Sequence, residues 1–161
     1  MSDRVPAAAT MEGVLRAKKR DIEAGRPIPA ALLIIGEAQT LVIPLPRLVD
    51  SKAREAFLNE QGRLYASAKP KAVMIVGVEA NSNPRLFGNE HYLGVSFMDF
   101  AGYQRAVVLP YSVSEGAVTW GAEDVTTNAT LAKERSELAA FFRGVKEAQS
   151  ARKASSRRTP A

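Results

Sequence analysis

The chain lacks cysteine altogether and has a single histidine and a single tryptophan among its 161 residues. Without cysteine it can form no disulfide, no thiolate metal ligand and no thiol nucleophile. His91 is therefore the one imidazole available for acid–base chemistry or metal ligation. Because no spacing of acidic residues around His91 matches an established zinc motif, we predict neither a metal site nor a cofactor.

The motifs of common enzyme classes are missing as well. The glycines form neither GxGxxG nor GxxxxGK, so the sequence has no recognised phosphate-binding loop. No serine lies in a GxSxG turn, which argues against the serine hydrolases that use this motif. We therefore predict no catalytic residue.

Long apolar runs are also lacking. The two longest stretches, residues 30–35 and 41–46, are separated by Gly36, Glu37 and Gln39, whereas a membrane-spanning helix needs about 20 residues. The N-terminus has no basic region that leads into an apolar core, as a secretory signal would. We accordingly expect no membrane contact and a cytoplasmic location.

The residues that are present have the composition of a globular domain, with 46% hydrophobic and 24% charged residues. We predict a single domain over residues 10–149. Residues 1–9 are interpreted as a flexible N-terminus. Residues 150–161, which combine serine, alanine and basic residues without apolar anchors, are interpreted as a disordered basic tail.

Helical periodicity of apolar residues appears in three segments. It predicts helices over residues 10–24, over residues 51–68 with Asp50 or Ser51 as the cap, and from Asn128 or Thr130 to residue 149. In the last helix the apolar positions recur at spacings of seven, four and three. These positions are Leu131, Leu138, Phe142 and Val145, with Ala139 and Phe141 beside them.

Runs rich in β-branched residues, bounded by turn residues, predict five or six strands. The order of elements is α-β-β-α-β-β-β-(β)-α. Because a helix lies between the second and third strands, we expect a right-handed crossover that joins parallel neighbours, hence one mixed, partly parallel sheet. The predicted strands are residues 31–35, 40–43, 72–78, 91–100, 103–113 and the shorter 117–120.

The segment from residue 79 to residue 91 has turn chemistry and no periodicity. If it leaves the carboxyl end of a parallel strand, it lies where open α/β sheets bind ligands. Its apolar pair Leu86 and Phe87 would add to a partner surface. The candidate ligand or partner residues are Glu79, Asn81, Asn83, Arg85, Glu90 and His91.

The formal net charge of +5 is concentrated at the end of the chain. Residues 143–161 carry six basic groups and one acidic group, whereas residues 28–142 carry ten and twelve. A basic segment can neutralise phosphates, although this one lacks the interleaved aromatic residues that stack on bases. The candidate nucleic-acid residues are Lys18, Lys19, Arg20, Arg152, Lys153, Arg157 and Arg158.

Three functions remain open at this point. The leading hypothesis is a small non-enzymatic binding or accessory protein of a bacterium or a bacterial virus, which acts by contact with a protein partner or as a homodimer. The first alternative is a nucleic-acid-associated protein that uses the basic tail. The second alternative is an enzyme centred on Glu79, Arg85, Glu90 and His91.

Overall fold

A computed structural model describes residues 5–48, 50–80, 91–127 and 137–158. Within these residues lie three α-helices and one sheet of seven strands, so the mixed α/β class is confirmed. The helices are α1 (Ala7–Glu23), α2 (Ser51–Leu64) and α3 (Leu138–Arg158), with a short 3₁₀ turn at Ala66–Ala68. The strands are β1 (Ala31–Ile35), β2 (Thr40–Pro44), β3 (Ala72–Ala80), β4 (His91–Asp99), β5 (Gln104–Ser114), β6 (Ala117–Trp120) and β7 (Asp124–Thr127).

The sheet has the order β2-β1-β3-β4-β5-β6, and β7 pairs with β5 beside β6. Every neighbouring pair is antiparallel, so the expectation of a partly parallel sheet is wrong in this respect. Strands β2 and β3 do run in the same direction, as a crossover through α2 requires. They are not neighbours, because β1 lies between them and is antiparallel to both. The sequence also missed β7, whose four residues are too few to show a clear period.

Helices cover both faces of the sheet, and the alternation of side chains along each strand divides the core in two. On one face α1 packs against the middle of the sheet. This first cluster contains Met11, Leu15, Ile22, Met74, Val76, Leu93, Val95, Phe97, Val107, Leu109 and Tyr111. On the other face lie α2 and α3, with Leu32, Ile34, Leu58, Val73, Met98, Leu138, Phe141, Phe142 and Val145. The strands β4 and β5 contribute Leu93, Val95, Phe97, Val107, Leu109 and Tyr111 to the first cluster.

Helices α2 and α3 cross at a pair of glycines. A Cβ atom added to Gly62 would overlap the carbonyl oxygen of Phe141 and lie 2.9 Å from its carbonyl carbon. A Cβ atom added to Gly144 would meet the carbonyl group of Asn59 in the same way, again 2.9 Å from the carbon. The two backbones thus touch reciprocally, and only glycine at both positions permits this approach.

Hydrogen bonds at the N-termini of the first and second helices explain where these helices begin. Helix α1 begins at Ala7, earlier than predicted, because the Pro6 carbonyl accepts both the amide and the hydroxyl of Thr10, at 3.0 and 2.8 Å. The predicted Asp50 cap of α2 is confirmed, since its carboxylate accepts the Lys52 amide at 3.0 Å.

Helix α3 differs from expectation at its end. It continues to Arg158, whereas the sequence predicts a disordered tail from residue 150. Alanine, arginine and lysine after residue 149 are strong helix formers, so the helix extends past its last core contacts. Its predicted start at Asn128 or Thr130 lies outside the described residues.

No helix in the described part of the chain is both long and apolar enough to cross a membrane.

Candidate functional site

The predicted site at residues 79–91 does not lie where the sequence argument placed it. Strands β3 and β4 form an antiparallel hairpin, so the segment between them does not follow a parallel strand. Glu79 pairs with Tyr92, and His91 pairs with Ala80, one position along. Since successive residues of a strand alternate between faces, Glu79 points to the α2/α3 face and His91 to the α1 face.

The remaining candidates of this loop lie outside the described residues. They are Asn81, Asn83, Arg85 and Glu90, together with the apolar pair Leu86 and Phe87. Of the proposed enzyme centre only Glu79 and His91 are described, and the sheet separates them. His91 instead stacks near Tyr111, with ring centroids 5.5 Å apart.

Glu79 has a partner that the sequence did not indicate. The Tyr92 hydroxyl on the neighbouring strand donates a hydrogen bond to its carboxylate. This bond, then partial burial, then the negative charge of Glu79 together raise the pKa of Tyr92 to about 12. All three factors favour the neutral phenol, so the pair is a stable hydrogen bond and not a source of reactive tyrosinate.

This pair predicts a pH dependence at alkaline pH. We expect Glu79→Gln to return the Tyr92 pKa toward its ordinary value of 10.0, because the charged acceptor is removed. In the wild-type protein the stability from this bond is complete below the unfolded-state pKa and is lost as the pH rises from there toward 12. Ultraviolet titration of tyrosinate, with Tyr92→Phe to assign the transition, measures the shift. Identical titration of wild type and Glu79→Gln would contradict it.

The two basic clusters proposed for nucleic acid lie on opposite faces of the molecule. Lys18, Lys19 and Arg20 belong to α1, which packs on one face of the sheet. Arg152 and Lys153 are exposed on α3, which packs on the other face. Arg157 and Arg158 follow in the last turn of α3, and their side chains lie outside the description. The described residues of the two clusters therefore do not form one continuous surface.

A cavity of about 490 Å³ lies at the end of the sheet where β1 ends, β3 begins and β4 ends. We call it the Phe100 cavity. Its volume is within the range of about 300–1,000 Å³ that ligand sites in proteins occupy. The lining residues come from two turns, the start of β3 and helix α3. They are Glu37, Lys69, Pro70, Lys71, Asp99, Phe100, Ala101 and Gln149.

The aromatic wall of this cavity is held in place from behind. The Phe100 ring meets the buried Phe142 edge to face, with centroids 5.6 Å apart, which is a favoured geometry for aromatic pairs. The ammonium group of Lys146 on α3 lies 5.4 Å from the centre of the same ring. Phe100 nevertheless remains 42% exposed. The Phe100 ring is thus held in one orientation, is partly exposed to solvent, and lies close to the positive charge of Lys146.

The cationic side of the cavity rests on a fixed backbone. Lys69 has a φ of 51°, the left-handed conformation that costs a non-glycine residue roughly 1 kcal/mol or more. The Lys71 amide donates to the Ile35 carbonyl at 2.8 Å, and the Lys71 carbonyl accepts the Phe100 amide at 2.8 Å. The side chains of both lysines therefore project from backbone positions that the neighbouring strands fix.

The acidic residues of the cavity differ in their roles. Asp99 is only 5% exposed, and its carboxylate accepts the Tyr103 amide at 2.8 Å, so it holds the β4–β5 turn. Glu37 is exposed on the β1–β2 turn. With Lys69, Lys71 and Lys146 nearby, the solvent-facing charge around Phe100 is predominantly positive. The arrangement can bind an apolar or aromatic group that carries negative charge beside it.

No residue of this cavity is among the candidate site residues that the sequence predicts. The one sequence feature that could have indicated the cavity is Phe100, a hydrophobic residue directly before a turn that contains glycine. Hydrophobic residues in such positions usually cover a core. Among the residues that the structure describes, no three histidine or acidic side chains cluster as a metal site would require. Comparison of the chain with protein-family models, curated proteins and solved structures finds no match.

Proposed function

We propose that this chain is a non-enzymatic binding protein that acts by contact with a protein partner, and that the Phe100 cavity receives an acidic segment of that partner. The observation that carries this proposal is the exposed Phe100 ring, fixed against Phe142 at the mouth of a cavity flanked by three lysines.

The composition of the cavity favours a protein segment as its occupant. Aromatic residues are enriched at the centres of protein interfaces, where they supply much contact area at a small entropic cost. A partner side chain that packs on Phe100 would place flanking carboxylates beside Lys71 and Lys146. Charge complementarity of this kind increases specificity and association rate.

Photo-crosslinking in the native host tests the proposal directly. A benzoylphenylalanine replaces Phe100 in the full chain, and the same group replaces Val113, another exposed apolar residue, as a position control. We expect a discrete protein adduct from position 100 that position 113 does not give, mapped by mass spectrometry to an acidic segment. Charge reversal at Lys71 and Lys146 is expected to abolish it, whereas reversal of the exposed Lys52 on α2 leaves it unchanged.

Equal adducts at both positions, or none at position 100, would contradict the proposal. Adducts that persist after charge reversal at Lys71 and Lys146 would contradict the claim that the bound segment is acidic.

A nucleic-acid function is the second candidate, and one observation favours it. Helix α3 projects beyond its core contacts, residues 150–155 are all exposed, and no acidic residue follows Glu147. The same purified protein is therefore titrated with a labelled DNA duplex at several salt concentrations. Tight binding with a steep salt dependence, lost when residues 150–161 are deleted, would support this candidate over the first.

A further inference from the structure

A second cavity, of about 290 Å³, lies between α1 and the sheet. We call it the Arg105 cavity. Arg105 on β5 lies between Phe97 of β4 and Thr127 of β7, and its side chain faces α1. The lining residues are Ala8, Met11, Glu12, Leu15, Arg16, Lys19, Arg105, Val107, Leu109 and Glu123.

Arg105 lines this cavity, and its guanidinium carries an unsatisfied hydrogen-bonding group. Its Nε atom is buried and has no hydrogen-bond partner. Nor does Arg105 take part in any ion pair that the described residues form. A buried polar group without a partner destabilises the folded state, and more so when it is charged. Such groups are rare in folded proteins, and a bound water or ion is one way in which they are satisfied.

The other cations of the cavity already have partners. Arg16 forms an ion pair with Glu12 at 3.4 Å, one turn away on α1. The Lys19 ammonium lies 5.1 Å from the centre of the Trp120 ring. Arg105 is thus the guanidinium left to receive a ligand, and guanidinium groups bind planar oxyanions through two parallel hydrogen bonds.

The walls of the cavity indicate what carries that oxyanion. Met11, Leu15, Val107 and Leu109 line it and are buried members of the α1-side core. A fully hydrated anion such as inorganic phosphate would gain nothing from these groups. A ligand with an apolar chain would bury that chain at roughly 25 cal/mol per Å² of surface.

We propose that the Arg105 cavity binds a small organic carboxylate with an apolar chain, its carboxylate paired with the Arg105 guanidinium and its chain directed toward Met11 and Leu15. This site is independent of the Phe100 cavity, because the two cavities share no lining residue.

The chain supplies its own reporter for this site. Trp120 is the single tryptophan, and its indole N–H donates to the Glu23 carboxylate at 2.8 Å. Lys19 both covers the Trp120 ring and lines the cavity. An anion that enters beside Arg105 is expected to draw the Lys19 ammonium toward it and so to change the tryptophan emission.

The test uses the full chain with sodium octanoate, and with 1-octanol and sodium phosphate as matched probes. We expect octanoate alone to change Trp120 emission saturably and to raise the melting temperature. Arg105→Leu is expected to lose both responses while melting at the same or a higher temperature without ligand, since the unsatisfied group is gone. Arg105→Lys keeps the charge without the planar fork and is expected to bind about ten-fold more weakly.

Arg143→Leu, at an exposed arginine on α3, is the control and is expected to respond as wild type. An equal response to octanol would overturn the role of the carboxylate, and a response to phosphate but not octanoate would overturn the role of the apolar chain. Absence of any response, or an Arg105→Leu variant that still responds, would refute the site itself. Neither result bears on the crosslinking at Phe100.

Discussion

Replacing Gly62 or Gly144 by alanine is expected to lower the free energy of unfolding by about 3 kcal/mol, the upper part of the usual range for overpacking. Each added methyl group would overlap a backbone carbonyl of the facing helix, Phe141 for Gly62 and Asn59 for Gly144. A backbone atom cannot rotate away as the end of a flexible side chain can. The two helices would have to separate, which would loosen the core beneath α2 and α3.

The sign of this effect distinguishes it from ordinary helix propensity. Alanine is favoured over glycine within helices by about 1 kcal/mol, so a glycine without neighbours should respond in the opposite direction. Gly13 in α1 is such a control, since a Cβ atom there would meet nothing within 4 Å. We expect Gly13→Ala to be neutral or stabilising in denaturant unfolding followed by circular dichroism. If Gly62→Ala and Gly144→Ala also stabilise the protein, the close helix crossing is refuted.

Replacing Phe141 by alanine is expected to cost about 3–5 kcal/mol, the range for a large aromatic removed from a core. Phe141 is completely buried, and its ring meets that of Phe142 at 5.3 Å and 90°. Its removal would leave a cavity under the crossing of α2 and α3, where the touching backbones prevent the helices from collapsing into the space. Thermal unfolding and denaturant unfolding both measure the loss.

Phe100→Ala is the matched control for this substitution. Its ring is exposed on one side, so we expect a loss of about 1 kcal/mol, mostly from the edge-to-face contact with Phe142. The difference between the two phenylalanines separates scaffold from site: Phe141 holds the fold, whereas Phe100 contributes little to it and remains available to a partner. Comparable losses from both substitutions would mean that Phe100 is also a scaffold residue.

The Phe100 cavity and the glycine crossing share one physical origin. Helices α2 and α3 approach each other closely, and salt bridges flank their contact, from Arg54 to Glu137 at 2.9 Å and from Arg63 to Glu147. This fixes α3 relative to the sheet, and with it Phe142, Lys146 and Gln149. The Phe100 cavity therefore depends on the same helix pair that gives the fold its stability.

Local patterns in the chain were sufficient for most of the secondary structure. The apolar spacing of Leu138, Phe142 and Val145 identified α3, Asp50 identified the start of α2, and β-branched runs identified six strands. These features depend on neighbours within a few residues, so they are legible from sequence. The same holds for cysteine chemistry, which the composition alone excludes.

The strand order and the positions of the two cavities could not be predicted from local patterns, because both depend on residues far apart in the chain. A strand, a helix and a strand in succession specify that β2 and β3 run the same way, but not that β1 inserts between them. That insertion gave β3 an antiparallel neighbour, and the register of the β3–β4 hairpin placed Glu79 and His91 on opposite faces. Phe100 and Lys146 meet across 46 positions, and Arg105 and Met11, which are 94 positions apart, line the same cavity. Such contacts arise from packing energies summed over the whole core, which no local pattern contains.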